Sequence, residues 1–301
     1  MPEKINLTFL GTGSAIPTAR RNHPSILLSY KDENILVDCG EGTQRQFRIA
    51  HLNPCKITRI LITHWHGDHV LGLPGLFQTL MLNGYTKTLQ IYGPRGTARM
   101  IQVYQTFFTH KDKLSIQVHE IESEIVFENS EFIINAQPMN HETPTLSYSF
   151  TIKEKNRINK EKLEKLKIPS GPMIAELAKG KTIEVDGKKI YGKKLIFTEP
   201  QRKISFIADT LYNTNCIKLA QNSDIVISES TYVDEELDLA KEHLHLTSSQ
   251  AAEIAKKSKS KQLILTHLSQ RYDSDNTQVL KQAKKVFKNT TIAKDFDTVE
   301  L

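Results

Sequence analysis

The hexapeptide HWHGDH at residues 64–69 constrains the fold of this chain more than any other feature. It follows an apolar run, ILI at residues 60–62, that is typical of a buried strand. Three imidazoles and one carboxylate in six residues suit zinc, which prefers nitrogen and oxygen ligands. From extended backbone His64 and His66 point the same way, whereas Asp68 and His69 lie on the next turn and can face a second metal ion. The pattern predicts a strand that ends in a metal site.

Further along the chain, three more ligand-type residues stand just after predicted strands. His141 follows a strand pattern at residues 132–136, Asp209 follows one at 204–208, and His267 follows one at 262–266. Side chains that follow different strands gather at one edge of an α/β architecture. The periodicity by itself supports an α/β, strand-rich fold, with helices predicted at 41–50, 68–83, 96–108, 248–257 and 277–288. Gly72, Pro74 and Gly75 should break or kink the first half of the helix at 68–83.

The composition is that of an ordinary globular protein. The 301 residues are 39% hydrophobic and 25% charged, which is enough to bury a large core. No apolar run reaches the roughly 18 residues of a membrane span, and residues 1–10 do not resemble a secretory signal. Three scattered cysteines argue against a disulfide framework. We therefore expect a cytoplasmic protein with no membrane association.

The positive charge is concentrated in one stretch. Residues 153–203 contain 15 Lys and Arg against 7 Asp and Glu, a net charge of +8, and the other 25 basic and 27 acidic residues give −2. A stretch of this length inside a compact domain is either functional or disordered. Both readings fit here, and we expect an insertion with a short helix near 160–167 and a hairpin that turns at 186–187.

Several motifs resemble those of the ribonuclease Z family, the tRNA 3′-processing endonucleases of the metallo-β-lactamase superfamily. The motif HxHxDH alone is shared by hydrolases of many substrates, but GEGTQRQ and THLSQRY beside it are far more specific. The matching stretches are FLGTGSAIPTARRN (9–22), DCGEGTQRQ (38–46), PCKITRILITHWHGDH (54–69), GLPGL (72–76), HETPTLSY (141–148), ADT (208–210) and THLSQRY (266–272).

The resemblance implies a fold and a ligand set. The fold is a single αββα sandwich over residues 1–301, with 153–203 as an inserted basic arm that binds substrate. Two zinc ions are implied per chain. The first zinc ligands are His64, His66 and His141, the second are Asp68, His69 and His267, and Asp209 is the bridge. The family usually has Gly just before this aspartate, where this chain has Ala208.

The same resemblance implies the chemistry. The enzyme would cut the 3′ trailer from precursor tRNA, leaving a 3′-hydroxyl on the tRNA and a 5′-phosphate on the trailer. Asp68 would accept the proton of the attacking water, and His245 would donate one to the leaving oxygen. Glu229 is a candidate to orient His245, and Asp38 a candidate to support a metal-bound histidine.

The resemblance also implies a homodimer, and two other functions stay open. One is a hydrolase of the same fold that acts on small esters or phosphodiesters. The other is a nucleic-acid-binding module with an inactive metal site. The basic insertion argues against the first, and the complete ligand set argues against the second. The IPSGP stretch at 168–172 resembles the Gly-Pro segment of the bacterial arm, although Ala175-Glu176 stands where a Gly-Lys pair is usual.

Overall fold

A computed structural model of the chain describes residues 3–106, 114–122, 124–166, 168, 171–185 and 187–301. Two seven-stranded sheets pack face to face. The strands are β1 Ile5–Gly11, β2 Ser25–Tyr30, β3 Glu33–Val37, β4 Arg59–Leu61, β5 Leu89–Gly93, β6 Ile116–Glu120, β7 Ile125–Glu128, β8 Phe132–Met139, β9 Thr145–Ile152, β10 Lys155–Ile158, β11 Thr182–Val185, β12 Lys188–Tyr191, β13 Ile196–Glu199, β14 Arg202–Ile207, β15 Ile225–Glu229, β16 Gln262–Thr266, β17 Thr290–Ile292 and β18 Thr298–Glu300.

Most of the helices cover the outer face of a sheet, and two of them belong to the basic insertion. They are α1 Thr43–Ile49, α2 Gly67–Val70, α3 Leu73–Leu82, α4 Thr97–Thr106, α5 Lys160–Lys165, α6 Pro172–Ala178, α7 Thr214–Ala220, α8 Leu237–Glu242, α9 Ser248–Lys257 and α10 Thr277–Val286. None of the helices in the described part of the chain has the length and apolar character needed to cross a bilayer.

Three apolar layers hold the sandwich together. Residues such as Phe9 and Tyr148 fill the space between the sheets, and both are fully buried. A second cluster lies between the first sheet and α1, α3 and α4. A third lies between the second sheet and α7, α9 and α10. Helix, sheet, sheet and helix therefore follow one another, which confirms the predicted αββα sandwich.

The direction of the strands determines where the site forms. The first sheet has the order β18-β1-β2-β3-β4-β5-β6, and β3 to β6 run parallel. The second has the order β17-β16-β15-β14-β9-β8-β7. There β14, β15 and β16 are parallel, and β8 runs with them because β9 is antiparallel to both β8 and β14. The carboxyl ends of these parallel strands therefore meet at one edge of each sheet.

Several predicted bounds need correction. The strand predicted from the apolar run at 60–62 ends at Leu61, so Ile62 and Thr63 continue as irregular backbone toward the site. The helix predicted at 68–83 is two helices, α2 and α3, which separate where Gly72 lies against the Gly40 carbonyl oxygen. A Cβ at Gly72 would stand 2.0 Å from that oxygen, so only glycine fits. The helix predicted at 96–108 is α4, and residues 107 and 108 lie outside the described range.

The basic insertion has a folded structure of its own. Strands β10 and β13 pair antiparallel as its base, and β11 pairs with β12 as a hairpin, whose predicted turn residue 186 lies outside the described range. A small apolar cluster of Leu163, Ile168, Leu177 and Leu195 packs between these elements and α5 and α6. Residues 169 and 170 of the IPSGP stretch also lie outside the described range. Arg202 and Lys203, counted with the insertion from the sequence, belong to β14 of the second sheet.

Candidate metal centre

Every predicted ligand lies at the edge where the parallel strands end. His64, His66, Asp68 and His69 follow β4 of the first sheet. His141, Asp209 and His267 follow β8, β14 and β16 of the second sheet. Because both sheets end there, residues 198 positions apart in the chain come into contact. His69 Nε2 lies 3.3 Å from His267 Nε2.

The first group consists of His64, His66 and His141. His141 Nε2 lies 3.2 Å from His66 Nδ1. Ligand atoms of all three residues lie within 4.8 Å of one another, close enough to share one ion. His64 is fully buried, and its Nε2 has no hydrogen-bond partner among the described residues. A buried ring nitrogen without a partner is costly unless a cation occupies the space it faces.

The second group consists of Asp68, His69, Asp209 and His267, all nearly buried. Asp209 Oδ2 lies 3.3 Å from His69 Nε2 and 3.2 Å from His267 Nε2. Asp68 Oδ2 lies 3.4 Å from the same two nitrogens. Asp209 Oδ2 is also 3.7 Å from His64 Nε2 of the first group, so this carboxylate stands between the two groups.

Hydrogen bonds on the far side of the rings determine which nitrogens are free. Thr63 Oγ1 donates its single hydrogen to Asp38 Oδ2 at 2.8 Å, so it accepts from His64 Nδ1 at 3.0 Å. His69 Nδ1 donates to Asp38 Oδ2 at 2.7 Å. In both rings Nε2 is therefore left facing the shared space. A protein acceptor behind each ligand ring is typical of metal-binding histidines.

The second sheet orients its histidines in the same way. His141 Nδ1 donates to the carbonyl oxygen of Leu244 at 3.0 Å. Thr231 Oγ1 donates to Glu229 Oε2 at 2.7 Å and accepts from His267 Nδ1 at 2.9 Å. Four rings thus present Nε2 to one space, together with two carboxylates. Imidazole and carboxylate are a donor set that fits zinc.

The pKa values in the metal-free protein agree with a cation site. Burial lowers the pKa of His64 well below its ordinary value, so its free nitrogen keeps a lone pair. Burial also acts against a charge on His69, but Asp209, Asp68 and Asp38 outweigh it and raise the pKa of His69 well above its ordinary value. The neighbouring imidazoles lower the pKa of Asp68 despite its burial. These carboxylates thus favour a positive charge at the His69 ring, which a metal ion would also supply.

His245 lies beside both groups. Its ring centroid is 5.1 Å from that of His141 and 5.4 Å from that of His267. Its Nδ1 lies 3.1 Å from Glu229 Oε1, the arrangement expected of an orienting carboxylate. Burial favours the neutral ring, but Glu229 outweighs it and raises the pKa of His245 to about 9. His245 therefore holds a proton at neutral pH.

An open cleft of about 290 Å³ leads to these residues. Its walls include ligands of both groups and His245, together with residues from the loops after β1, β15 and β16. The residues that line it are Ser14, Ala15, Ile16, His66, Asp68, His141, Glu142, Asp209, Thr231, Tyr232, His243, His245, His267, Ser269, Gln270 and Arg271. A substrate in this cleft would reach the candidate ligands and His245 together.

Sequence patterns had no means of identifying three members of this site. Thr63 and Thr231 act through one hydroxyl each, and nothing in a lone threonine predicts the ring that it will contact. The carbonyl oxygen of Leu244 belongs to backbone with φ 55°, in the left-handed region. Asp38 and Glu229 were candidates for supporting roles, and each contacts the histidine side chains that such a role requires.

The hydroxyl of Thr231 offers a test of the second group. Thr231→Val keeps the shape but removes the acceptor of the His267 Nδ1 hydrogen. We expect the zinc affinity of the second group to fall roughly 10- to 100-fold, the usual effect of losing such a support. Chelator competition, read as metal released per chain, measures it. Thr290→Val, at another buried threonine, is the matched control. Equal affinities in Thr231→Val and the unchanged protein would contradict the assignment.

Comparison with known proteins supplies the family. The model of the family described as "Anti-Pycsar protein Apyc1" matches residues 5–161. A protein named Ribonuclease Z from Enterococcus faecalis is 38% identical over 309 residues, which cover 99% of this chain and 97% of that protein. The crystal structure of the short form of human tRNase Z is 28% identical with a TM-score of 0.69, covering 98% of each chain.

A further solved structure supports the fold alone. The metallo-β-lactamase fold protein YhfI from Bacillus subtilis is 20% identical with a TM-score of 0.73, and the match covers 100% of both chains. This likeness agrees with the predicted fold. The 38% identity to a Ribonuclease Z over 99% of this chain, and the histidine and aspartate groups at the sheet edge, agree with the predicted enzyme class. The chain belongs to the ribonuclease Z family, metal-dependent hydrolases with the metallo-β-lactamase fold.

Proposed function

We propose that this protein is a zinc-dependent endoribonuclease that removes the 3′ trailer from precursor tRNA. The products would be a tRNA with a 3′-hydroxyl and a trailer with a 5′-phosphate. The observation that carries the proposal is the position of His245, a ring with a raised pKa that lies beside both ligand groups. Its centroid is 5.1 Å from that of His141 and 5.4 Å from that of His267. The names of the relatives supply the substrate class.

The ligand assignment is part of this proposal. His64, His66 and His141 would hold one zinc ion, Asp68, His69 and His267 the second, and Asp209 would bridge them. The spacing of the ligand atoms in the two groups and the unpartnered Nε2 of His64 support it. Two zinc ions there would lower the pKa of a water molecule and offset negative charge on the phosphoryl oxygens.

The protein's own side chains would move the protons. Asp68 lines the cleft, so its carboxylate would lie within reach of the attacking water and would accept its proton. His245 would donate its proton to the leaving 3′-oxygen. Glu229 would keep the ring of His245 turned toward the cleft, because Oε1 also accepts from the backbone N–H groups of Thr210 and Leu246 and is therefore fixed.

The insertion between β9 and β14 would bind the body of the tRNA. Residues 155–199 contain 12 Lys and Arg against 6 Asp and Glu. Seven exposed lysines there form no salt bridge with any described residue: Lys160, Lys162, Lys165, Lys188, Lys189, Lys193 and Lys194. Free positive charge on a folded arm suits sequence-independent phosphate contacts. A homodimer is part of the proposal on the family resemblance alone, and light scattering of the purified protein tests it. A cytoplasmic location is part of the proposal on the sparse, scattered cysteines.

Cleavage of a defined substrate tests the function. We expect the purified protein to cut a tRNA with a 3′ trailer at one position, and metal analysis to find two zinc equivalents per chain. Removing the metal with a chelator should abolish cleavage, and added zinc should restore it. Hydrolysis of a small phosphodiester with no cleavage of the precursor would instead indicate the small-substrate hydrolase. Tight RNA binding with neither activity would indicate the inactive binding module.

Leaving-group chemistry tests His245. His245→Ala should slow precursor cleavage by roughly 10²–10⁴-fold, the range of general acid catalysis. An aryl phosphodiester has a leaving group that needs no proton, so its hydrolysis should fall far less. Zinc content is measured in the same samples. Equal losses on both substrates would make His245 a support for the metal site and contradict the proposed role.

Lysines of the arm test its role. Changing Lys188, Lys189, Lys193 and Lys194 together to Gln should raise KM for precursor tRNA and flatten its dependence on salt, because fewer phosphate contacts release fewer counterions. The matched control changes four exposed lysines on or just after α10, namely Lys281, Lys284, Lys285 and Lys288. If both variants bind precursor tRNA with the same salt slope as the unchanged protein, the arm does not bind the substrate.

A further inference from the structure

An exposed histidine stands at the mouth of the cleft without a structural role in the described residues. His243 lines the cleft, and its ring forms no hydrogen bond with any residue that the structure describes. Among the described residues, the ring of Tyr232 lies beside it, tilted only 15° from the plane of the His243 ring, with the centroids 6.3 Å apart. Tyr232 is nearly buried and also lines the cleft. The exposed imidazole of His243 thus lies nearly parallel to the buried ring of Tyr232.

The backbone turns so that two histidines reach the same cleft. Leu244 has φ 55°, in the left-handed region that a leucine rarely adopts. On its two sides, His245 lies deep beside the ligands and His243 lies at the rim. Strained residues of this kind persist where the surrounding structure holds them, often at functional sites. Here the strain also directs the Leu244 carbonyl oxygen to His141.

A positive charge lies next to the same aromatic pair. The guanidinium carbon of Arg271 is 5.9 Å from the centroid of the Tyr232 ring. Arg271 Nη1 donates to Glu236 Oε1 at 2.8 Å, which uses one of its donors, and the side chain remains half exposed at the cleft wall. A guanidinium has five N–H donors, so others remain for a phosphate.

We propose that His243, supported by Tyr232, stacks against one nucleobase beside the scissile bond, and that Arg271 contacts the phosphate next to it. The inference rests on the proposed ribonuclease function and adds a base-binding position to it. The cleft volume of about 290 Å³ is at the low end for ligand pockets, so the nucleotides on either side of the cut must pass over the rim. Single-stranded RNA is recognised largely by stacking its unpaired bases on aromatic rings, and this includes histidine.

Abasic substrates test the stacking position. Three precursor tRNAs are compared: one intact, one lacking the base just 5′ of the scissile bond, and one lacking the base just 3′ of it. His243→Ala should lower kcat/KM for the intact precursor by roughly 5- to 20-fold, the low end of base–aromatic stacking. On the abasic precursor that lacks the base normally stacked on His243, the same substitution should lower kcat/KM by less than about two-fold, because the interaction is already absent. His243→Phe, which keeps a ring, should restore most of the rate.

Two controls separate the outcomes. His51→Ala removes another exposed histidine, in a different groove, and should not change the pattern. Zinc content is measured for every variant. Equal losses for His243→Ala on all three precursors, or no rescue by His243→Phe, overturn the stacking position and leave the ribonuclease function standing. If the unchanged protein hydrolyses a small phosphodiester but cuts no precursor, the proposed function fails, and the base position fails with it.

Discussion

The hydrogen bonds behind the ligand histidines are the interactions on which this site depends. Asp38 accepts from Thr63 and His69, and through Thr63 it also determines the tautomer of His64. In the second sheet, the Glu229–Thr231 pair has the same effect on His267. Each ring can offer only one nitrogen to a metal ion, so these acceptors determine the nitrogen that is offered. The position of His245 depends on the same Glu229 carboxylate.

The sequence located the candidate ligands because each one follows a strand, and strand patterns are readable from apolar runs. Parallel strands then bring these residues together at one edge of the sheets. Knowing which segments are strands and which are helices is enough to predict this. The exact ends of the strands were less predictable from the sequence. The backbone at Asp38 and His267 leaves the strands through the left-handed region, at φ 57° in both, and tertiary contacts impose this turn on residues that do not favour it.

Other features required long-range contacts that no local pattern contains. Strand β18 pairs with β1 across nearly the whole chain, and its three residues carry too little pattern to predict. The fold of the insertion depends on four apolar side chains spread over residues 163–195 among many lysines. Their spacing matches neither a helix nor a strand, because they come from several short elements. Composition therefore indicated a charged segment and could not indicate its core.

The position of the insertion has a consequence for how this enzyme class can diversify. Strands β9 and β14 are neighbours in the second sheet, and the insertion leaves from the end of one and returns at the start of the other. That end lies opposite the edge where His141 and Asp209 stand, since those residues precede β9 and follow β14. If the insertion binds the substrate as proposed, changes in its length or charge can therefore alter which macromolecules are held without moving a candidate ligand. Affinity and chemistry can evolve at separate ends of the same pair of strands.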